Sequence, residues 1–204
     1  MANPWLSIPL SDYEGHMSAP GVEQLGALSF LFSRALRRVQ PRSVAVLGIA
    51  GGNGLEHIDA SVASVVGIDV HAEYLDEARR RYPSLPLDLH CLDLSSERVR
   101  IAPVDLVHAA LVFEHAGLGL ALENALALIA PGGSLSVVLQ LPSAEAAAVA
   151  PTRFASMASL RDHFTFIGFD EFRDLVEAKG LDPVVEEVKA LPGGKAFWLG
   201  IFSR

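Results

Sequence analysis

An α/β sandwich is predicted, with a seven-stranded, mostly parallel sheet between two layers of helices. Three observations predict it. Five short strand-like runs, at 44–48, 64–68, 86–91, 104–109 and 134–141, mostly alternate with segments of helical spacing, the pattern of strands joined by right-handed helical crossovers. Half of the residues are hydrophobic, as a sheet covered on both faces requires. The chain ends in two further apolar runs, Val184 to Leu191 and Ala196 to Phe202, separated by Pro192-Gly193-Gly194. A Pro-Gly-Gly connection is a hairpin signal, so one strand should run against its neighbours, as a reversed edge strand.

The elements follow in order. Residues 1–19 show no clean period and read as an irregular arm. Ser18 and Pro20 read as a helix start. Apolar residues then recur at helical spacing (Val22, Leu25, Leu28, Leu31, Phe32, Leu36) to about Gln40, and Pro41 stops the helix. Further helices are expected near 54–60, 72–82 and 118–129, whereas 95–100 carries no decisive pattern. Residues 142–167, Ala-rich and opened by Pro142, read as an insertion over the carboxyl edge of the sheet. Gly168-Phe169-Asp170 opens a last helix that reaches Lys179, with Gly180 as its stop.

At 204 residues the chain is expected to form one domain burying roughly 70% of its unfolded surface. No repeat or linker divides it. The net charge of −8 disfavours a phosphate-backbone partner, so no nucleic acid is expected. The clusters Arg34-Arg37-Arg38 and Arg79-Arg80-Arg81 fall at predicted helix ends, where they complement the helix dipole. One cysteine, Cys91, excludes an internal disulfide and suits a reducing cytosol. The opening segment lacks the charged start and apolar core of a signal peptide, and no apolar run has membrane-spanning length, so a cytoplasmic protein is expected.

Residues 44–54, Val-Ala-Val-Leu-Gly-Ile-Ala-Gly-Gly-Asn-Gly, carry the most functional information. A strand ends at Gly48, and a loop of small residues leads toward a predicted helix. There a ligand can approach backbone and meet unpaired N–H groups. Val65-Val66-Gly67-Ile68 then leads to Asp69, which lies 21 residues after Gly48, the usual reach from a glycine-rich loop to a ribose. The pair points to an adenosine-containing cofactor.

Taken together, these stretches resemble the class I S-adenosylmethionine-dependent methyltransferases, which have a Rossmann-like fold. VAVLGIAGGNG looks like the family's first motif and VVGIDV like its second, with Asp69 as the ribose acid. LHCLDL resembles the third-strand motif, VDLVHAALVFEHA the fourth, and LIAPGGSLSVVLQLP the Pro-Gly-Gly turn into the fifth strand. The resemblance covers residues 42–141 and extends to the terminal hairpin. It implies S-adenosyl-L-methionine as cofactor, held by Gly48, Ala50, Gly51, Gly52, Asn53 and Asp69. It further implies that Asp93 meets the adenine amino group, that Val70 and Leu94 flank the ring, and that Ala109, Ala110 and Leu111 lie near the methionine end. The family's acid at the end of the first strand is Gly48 here. Its role should pass to backbone carbonyls, Asn53 or the N-terminal arm. Ala50 replaces a loop glycine, which a negative φ would permit.

Methyl transfer needs alignment more than a compulsory catalytic group, and a base helps only when the nucleophile must lose a proton. Glu114-His115 is a candidate acid/base pair, against an exposed cap with a solvated histidine. In the arm, Tyr13 is a candidate cation–π partner of a sulfonium, and His16 or Glu14 a candidate base. The competing reading is a loose end anchored by Trp5, Tyr13 and Met17. The arm and helix, 1–40, are expected to act as a lid. Gln140 and Arg153 are possible substrate contacts, and His57 and His108 read as packing or solvated residues. His90-Cys91-x-Asp93 looks like a ligand set, but adjacent strand residues diverge, so no metal is expected.

The expected function is methyl transfer to a small-molecule acceptor. Base-amino methylation is disfavoured because His108-Ala109-Ala110-Leu111 replaces an Asn/Asp-Pro-Pro-aromatic motif. Cytosine carbon methylation is disfavoured because no Pro-Cys pair occurs. The alternative is a methyltransferase-like domain that binds cofactor or a partner without turnover. A nicotinamide-dependent oxidoreductase ranks third, with the terminal hairpin against it.

Overall fold

The computed structural model describes residues 3–204. Its sheet has seven strands in the order β3-β2-β1-β4-β5-β7-β6, with β1 at Ser43–Leu47, β2 at Ser64–Asp69, β3 at Leu87–Cys91, β4 at Val104–Ala110, β5 at Ile129–Gln140, β6 at Asp182–Ala190 and β7 at Ala196–Ser203. The first five are parallel to one another, and β7 is antiparallel to both β5 and β6. The reversed strand is therefore interior and β6 is the edge, a correction to the expected reversed edge strand. The reason is in the patterns. β7 is apolar on both faces and buried, whereas β6 alternates with charged residues, which suits an edge.

Among the described residues six α-helices accompany the sheet: α1 Leu10–Met17, α2 Gln24–Val39, α3 Ala72–Arg81, α4 Phe113–Ala116, α5 Leu120–Ala127 and α6 Phe169–Glu177. Short 3-10 turns occupy Pro4–Ser7, Leu55–His57 and Ala155–His163. Strand parity divides the core. Ala45, Leu47, Val107, Ala109, Val137 and Trp198 pack under α5 and α6. Val44, Val46, Leu106, Val138, Phe197 and Leu199 pack under α2.

Four boundaries differ from expectation. The arm is ordered, with Pro9 preceding α1 and His16 and Met17 buried. Its period was hidden because one of the inward side chains is a polar imidazole. The long helix begins at Gln24 rather than at Ser18 or Pro20, since Gly21 and Glu23 take φ of 78° and 48° and break the chain before it. No α-helix follows β1, because Gly52 and Gly54 at φ 88° and 91° turn the backbone repeatedly and leave only the Leu55–His57 turn. The sheet face there is filled by α2, whose Phe32 crowds Gly54. Finally, β5 begins at Ile129 rather than at 134. The Pro131-Gly132-Gly133 stretch belongs to it, with the register shifting between Val104 and Leu106.

Candidate active site

The order of the strands reverses direction between β1 and β4, and in open α/β sheets ligands bind outside the carboxyl ends at such a switch point. The register aligns Leu47 with Ile68 and Ala109, Asp69 with Cys91, and Ala110 with Val138. The residues that follow these strands therefore gather in one place, where they line a cavity of about 540 Å³, a size in the range of small-molecule sites. Its floor includes Gly48, Ala50, Asp69, Val70, Asp93 and Ala110.

Asp69 is 8% exposed. One of its oxygens accepts from the Ala50 N–H and the other from the His71 N–H, each at 2.9 Å. Burial raises its pKa, and the two backbone N–H groups oppose that rise. Each oxygen keeps a lone pair for a ligand hydroxyl. Ala50 takes a φ of 48°, which corrects the expectation of a negative angle. The bond to Asp69 secures an αL conformation that an alanine otherwise avoids. Leu111, also in the lining, has a φ of 56°. Both left-handed non-glycine residues in the floor thus face the cavity, where backbone strain tends to collect.

Asp93 closes a turn by accepting from the Ser95 N–H and hydroxyl, and its other oxygen accepts from Asn3 Nδ2 at 2.8 Å. Asn3 ties the arm across the cavity mouth. The tie is repeated along the arm. Tyr74 donates to the Ile8 carbonyl at 2.8 Å, His16 Nδ1 meets Thr152 Oγ1 at 2.9 Å, and Ser156 donates to Asp12 at 2.6 Å. The Phe154 ring lies on Gly15, where a Cβ would come within 2.3 Å of it. A third apolar cluster of Ile8, Val149, Met157 and Leu160 joins the arm to residues 142–167. The arm and the insertion together make a cover.

The loop's other residues face away from the cavity. Gly51 lies beneath Glu14, Arg81 and Leu10, and Gly52 lies beneath Tyr82. Asn53 Nδ2 donates to the Leu25 carbonyl at 3.0 Å. Glu14 pairs with Arg81 at 2.9 Å, and Arg81 also reaches the Gly51 carbonyl. Packing of α1, α2 and α3 therefore takes up Gly51, Gly52, Asn53 and Glu14, which do not line the cavity. At Gly48, φ is 64° and a Cβ would lie 2.9 Å from Val112 Cγ2, so the floor there has no room for the acid.

Of the other candidates, Tyr13, His16, His115, Leu94, Leu111 and Gln140 line the cavity, but Glu114 and Arg153 do not. Glu114 is neither exposed nor in the lining. It is 2% exposed, one oxygen accepts from the Gln140 N–H at 2.8 Å, and the other has no partner. Burial pushes its pKa up to about 7. Burial also lowers the His115 pKa to about 4 and that of His108, stacked on Phe32, to about 3. His115 is therefore a half-buried neutral imidazole rather than a solvated one.

Three features were not anticipated. Gln24 lines the cavity and donates to Gln140 at 2.9 Å. Lys195 is buried behind Gln140 and donates to the Ala148 carbonyl at 2.7 Å. His163 and Phe164 complete the rim. The Pro-Gly-Gly-Lys hairpin signalled a turn, not a buried ammonium. Among the described residues no cluster of three or more His, Cys, Asp or Glu is placed to hold a metal ion. No helix among them is long and apolar enough to cross a membrane.

Residues 44–133 match the family model for a methyltransferase domain. Within that stretch lie Gly48, Ala50, Asp69, Asp93 and Ala110, while the cover comes from outside it. No curated protein matches the sequence significantly. Solved structures resemble the whole chain in fold. One is the N-methyltransferase NodS from Bradyrhizobium japonicum WM9 in complex with S-adenosyl-L-homocysteine, with 17% identity, TM-score 0.63, and coverage of 88% of this chain and 86% of that one. Another is magnesium protoporphyrin IX methyltransferase from Synechocystis PCC 6803 with bound S-adenosylhomocysteine, with 11% identity, TM-score 0.64, and coverage of 87% and 82%. A third is coclaurine N-methyltransferase bound to N-methylheliamine and S-adenosylhomocysteine, with 13% identity, TM-score 0.63, and coverage of 90% and 73%. The seven-stranded sheet, with its antiparallel ending, is thus a Rossmann-like fold.

Proposed function

We propose that the cavity binds S-adenosyl-L-methionine and that the chain transfers its methyl group to a small-molecule acceptor. The observation that carries this reading is the meeting of Gly48, Ala50, Asp69, Asp93 and Ala110 in one cavity at the switch point of a methyltransferase domain. The fit is supported by Asp69, a buried carboxylate whose two oxygens each hold only one backbone N–H. When bound, the cofactor supplies a methyl group already activated on a sulfonium.

In this reading Asp69 receives the ribose hydroxyls, Asp93 the adenine amino group, and Val70 and Leu94 flank the ring. Gly48 leaves the methionine amino group to backbone carbonyls and to the arm. Tyr13 lies against Tyr74 at 6.3 Å between ring centres and offers a ring face for a cation. Near neutral pH His115 carries no proton on one ring nitrogen and is the base for an acceptor hydroxyl; His16, whose pKa burial lowers, is the second candidate. The cover excludes water and aligns the acceptor. Acceptors of small size are supported by the enclosure and by the fold neighbours named for such compounds. A reducing, cytosolic setting belongs to the same reading, with Cys91 free.

Calorimetric titration with S-adenosylmethionine, S-adenosylhomocysteine and NAD, repeated on Asp69→Ala, tests it. The expected result is micromolar adenosyl binding, weakened at least about tenfold by the substitution, with no NAD binding. A folded protein that ignores both adenosyl ligands would overturn the proposal. Binding without product across an acceptor panel would favour a non-catalytic binding domain, the reading that the missing acid at Gly48 supports.

A further inference from the structure

We infer that the acceptor end of the cavity selects an uncharged, planar aromatic molecule, an inference that rests on the methyltransferase reading above. An unbroken series of rings runs from the ribose acid to the outer surface. Tyr74 faces Tyr13, Tyr13 meets Trp5 at 5.6 Å, Trp5 meets His115 at 5.0 Å, and His115 meets Phe164 at 5.3 Å. Phe164 then meets Phe166 at 5.1 Å, and Phe166 is 39% exposed. The contacts after Tyr13 are edge-to-face, with interplanar angles of 74° to 84°. Such a wall alternately presents faces and edges, and a flat aromatic guest continues it with the geometry its quadrupole prefers.

The rest of that end is aliphatic. Val149, Met157 and Leu160 are all buried, belong to the same cluster as Trp5 and Phe164, and line the same cavity. No lysine or arginine lines the cavity among the described residues, and its carboxylates, Asp69 and Asp93, are already engaged. An anionic acceptor would leave water without a counter-charge from the lining side chains. On the ring wall, His115 Nδ1 is buried and without a partner. One hydroxyl or ring N–H on the acceptor would satisfy it. The wall includes Trp5 from the arm and Phe164 from the insertion, so selection occurs only with the cover in place.

The test compares three probes by calorimetry on protein saturated with S-adenosylhomocysteine at pH 7: 2-naphthol, 2-naphthoate and 2-decalol. They share a two-ring size but differ in charge or planarity. The expected result is binding of 2-naphthol about tenfold or more tighter than either of the others. Trp5→Leu should collapse the preference for 2-naphthol over 2-decalol, and Trp5→Phe should retain it. A merely structural role for Trp5 would shift all three affinities together. Equal or tighter binding of 2-naphthoate or 2-decalol overturns the inference, as does no binding of 2-naphthol to the loaded protein. If S-adenosylhomocysteine itself fails to bind, the functional reading falls and this inference with it.

Discussion

Asp69 shows how one side chain links backbone shape to ligand capture. Its bond to the Ala50 N–H holds that residue at a φ of 48°, a conformation costing an alanine about 1 kcal/mol. Ala50→Gly should remove most of that strain and raise the melting temperature by about 2–4 °C, measured by thermal unfolding. A lower melting temperature would show that the left-handed angle stores no strain. Glu114 provides a second test. Its folded pKa of about 7 exceeds the unfolded carboxyl value of roughly 4.3. The folded state therefore holds the extra proton between these values, and stability falls as pH rises from about 4.5 through 7. Glu114→Gln keeps an acceptor for the Gln140 N–H and should flatten that decline, a difference on the order of 3 kcal/mol at pH 8 in denaturant titrations. Asp69 was legible in the sequence because a strand end and a loop spacing both point at it. The angle at Ala50 was not, since a carboxylate 19 residues away sets it. The burial of Glu114 was also hidden, because its neighbours come from β5 and from Thr165 of the insertion.

Among the elements, the cover behaves as one piece built from two distant segments. Phe154 sits on Gly15, where any side chain would meet the ring. Gly15→Ala should displace Phe154 and loosen residues 142–154. Limited proteolysis should then cut there faster, with little change in the unfolding of the sheet. Shortening the ring in Gly15→Ala/Phe154→Ala should restore room but not the contact, so cutting should stay fast. Slow cutting of the single variant would show that the ring contact does not fasten the cover. Apart from the start of β5, where a Pro-Gly-Gly stretch reads as a turn, the strands were readable to within about two residues because most are apolar runs with a turn signal at the end. The arm was not, since α1 is short and one of its two buried residues is a histidine. The absent crossover helix after β1 was also illegible. Its place belongs to α2, and only long-range packing of Phe32 on Gly54 decides that.

For the molecule as a whole, two layers of core grip the sheet, and the cover is held by a smaller cluster of its own. Local opening follows such divisions. Amide exchange over residues 3–17 and 142–167 should therefore be faster than over β1, β4 and β5. S-adenosylhomocysteine should slow exchange in the cover far more than in the sheet. Uniform protection with and without ligand would mean that cover and sheet open together. The placement of α2 has a separate consequence, for the order in which the chain assembles. Its apolar side, led by Leu28, Leu31, Phe32 and Ala35, rests in the same cluster as Val138, Phe197, Leu199 and Ile201. Those partners are synthesised more than a hundred residues later. At the roughly 5–20 residues per second of translation, the helix waits on the order of ten seconds with part of its apolar face uncovered. Such a nascent chain exposes apolar surface of the kind that chaperones shield, and its refolding from denaturant should be slow because many of its contacts are distant in sequence.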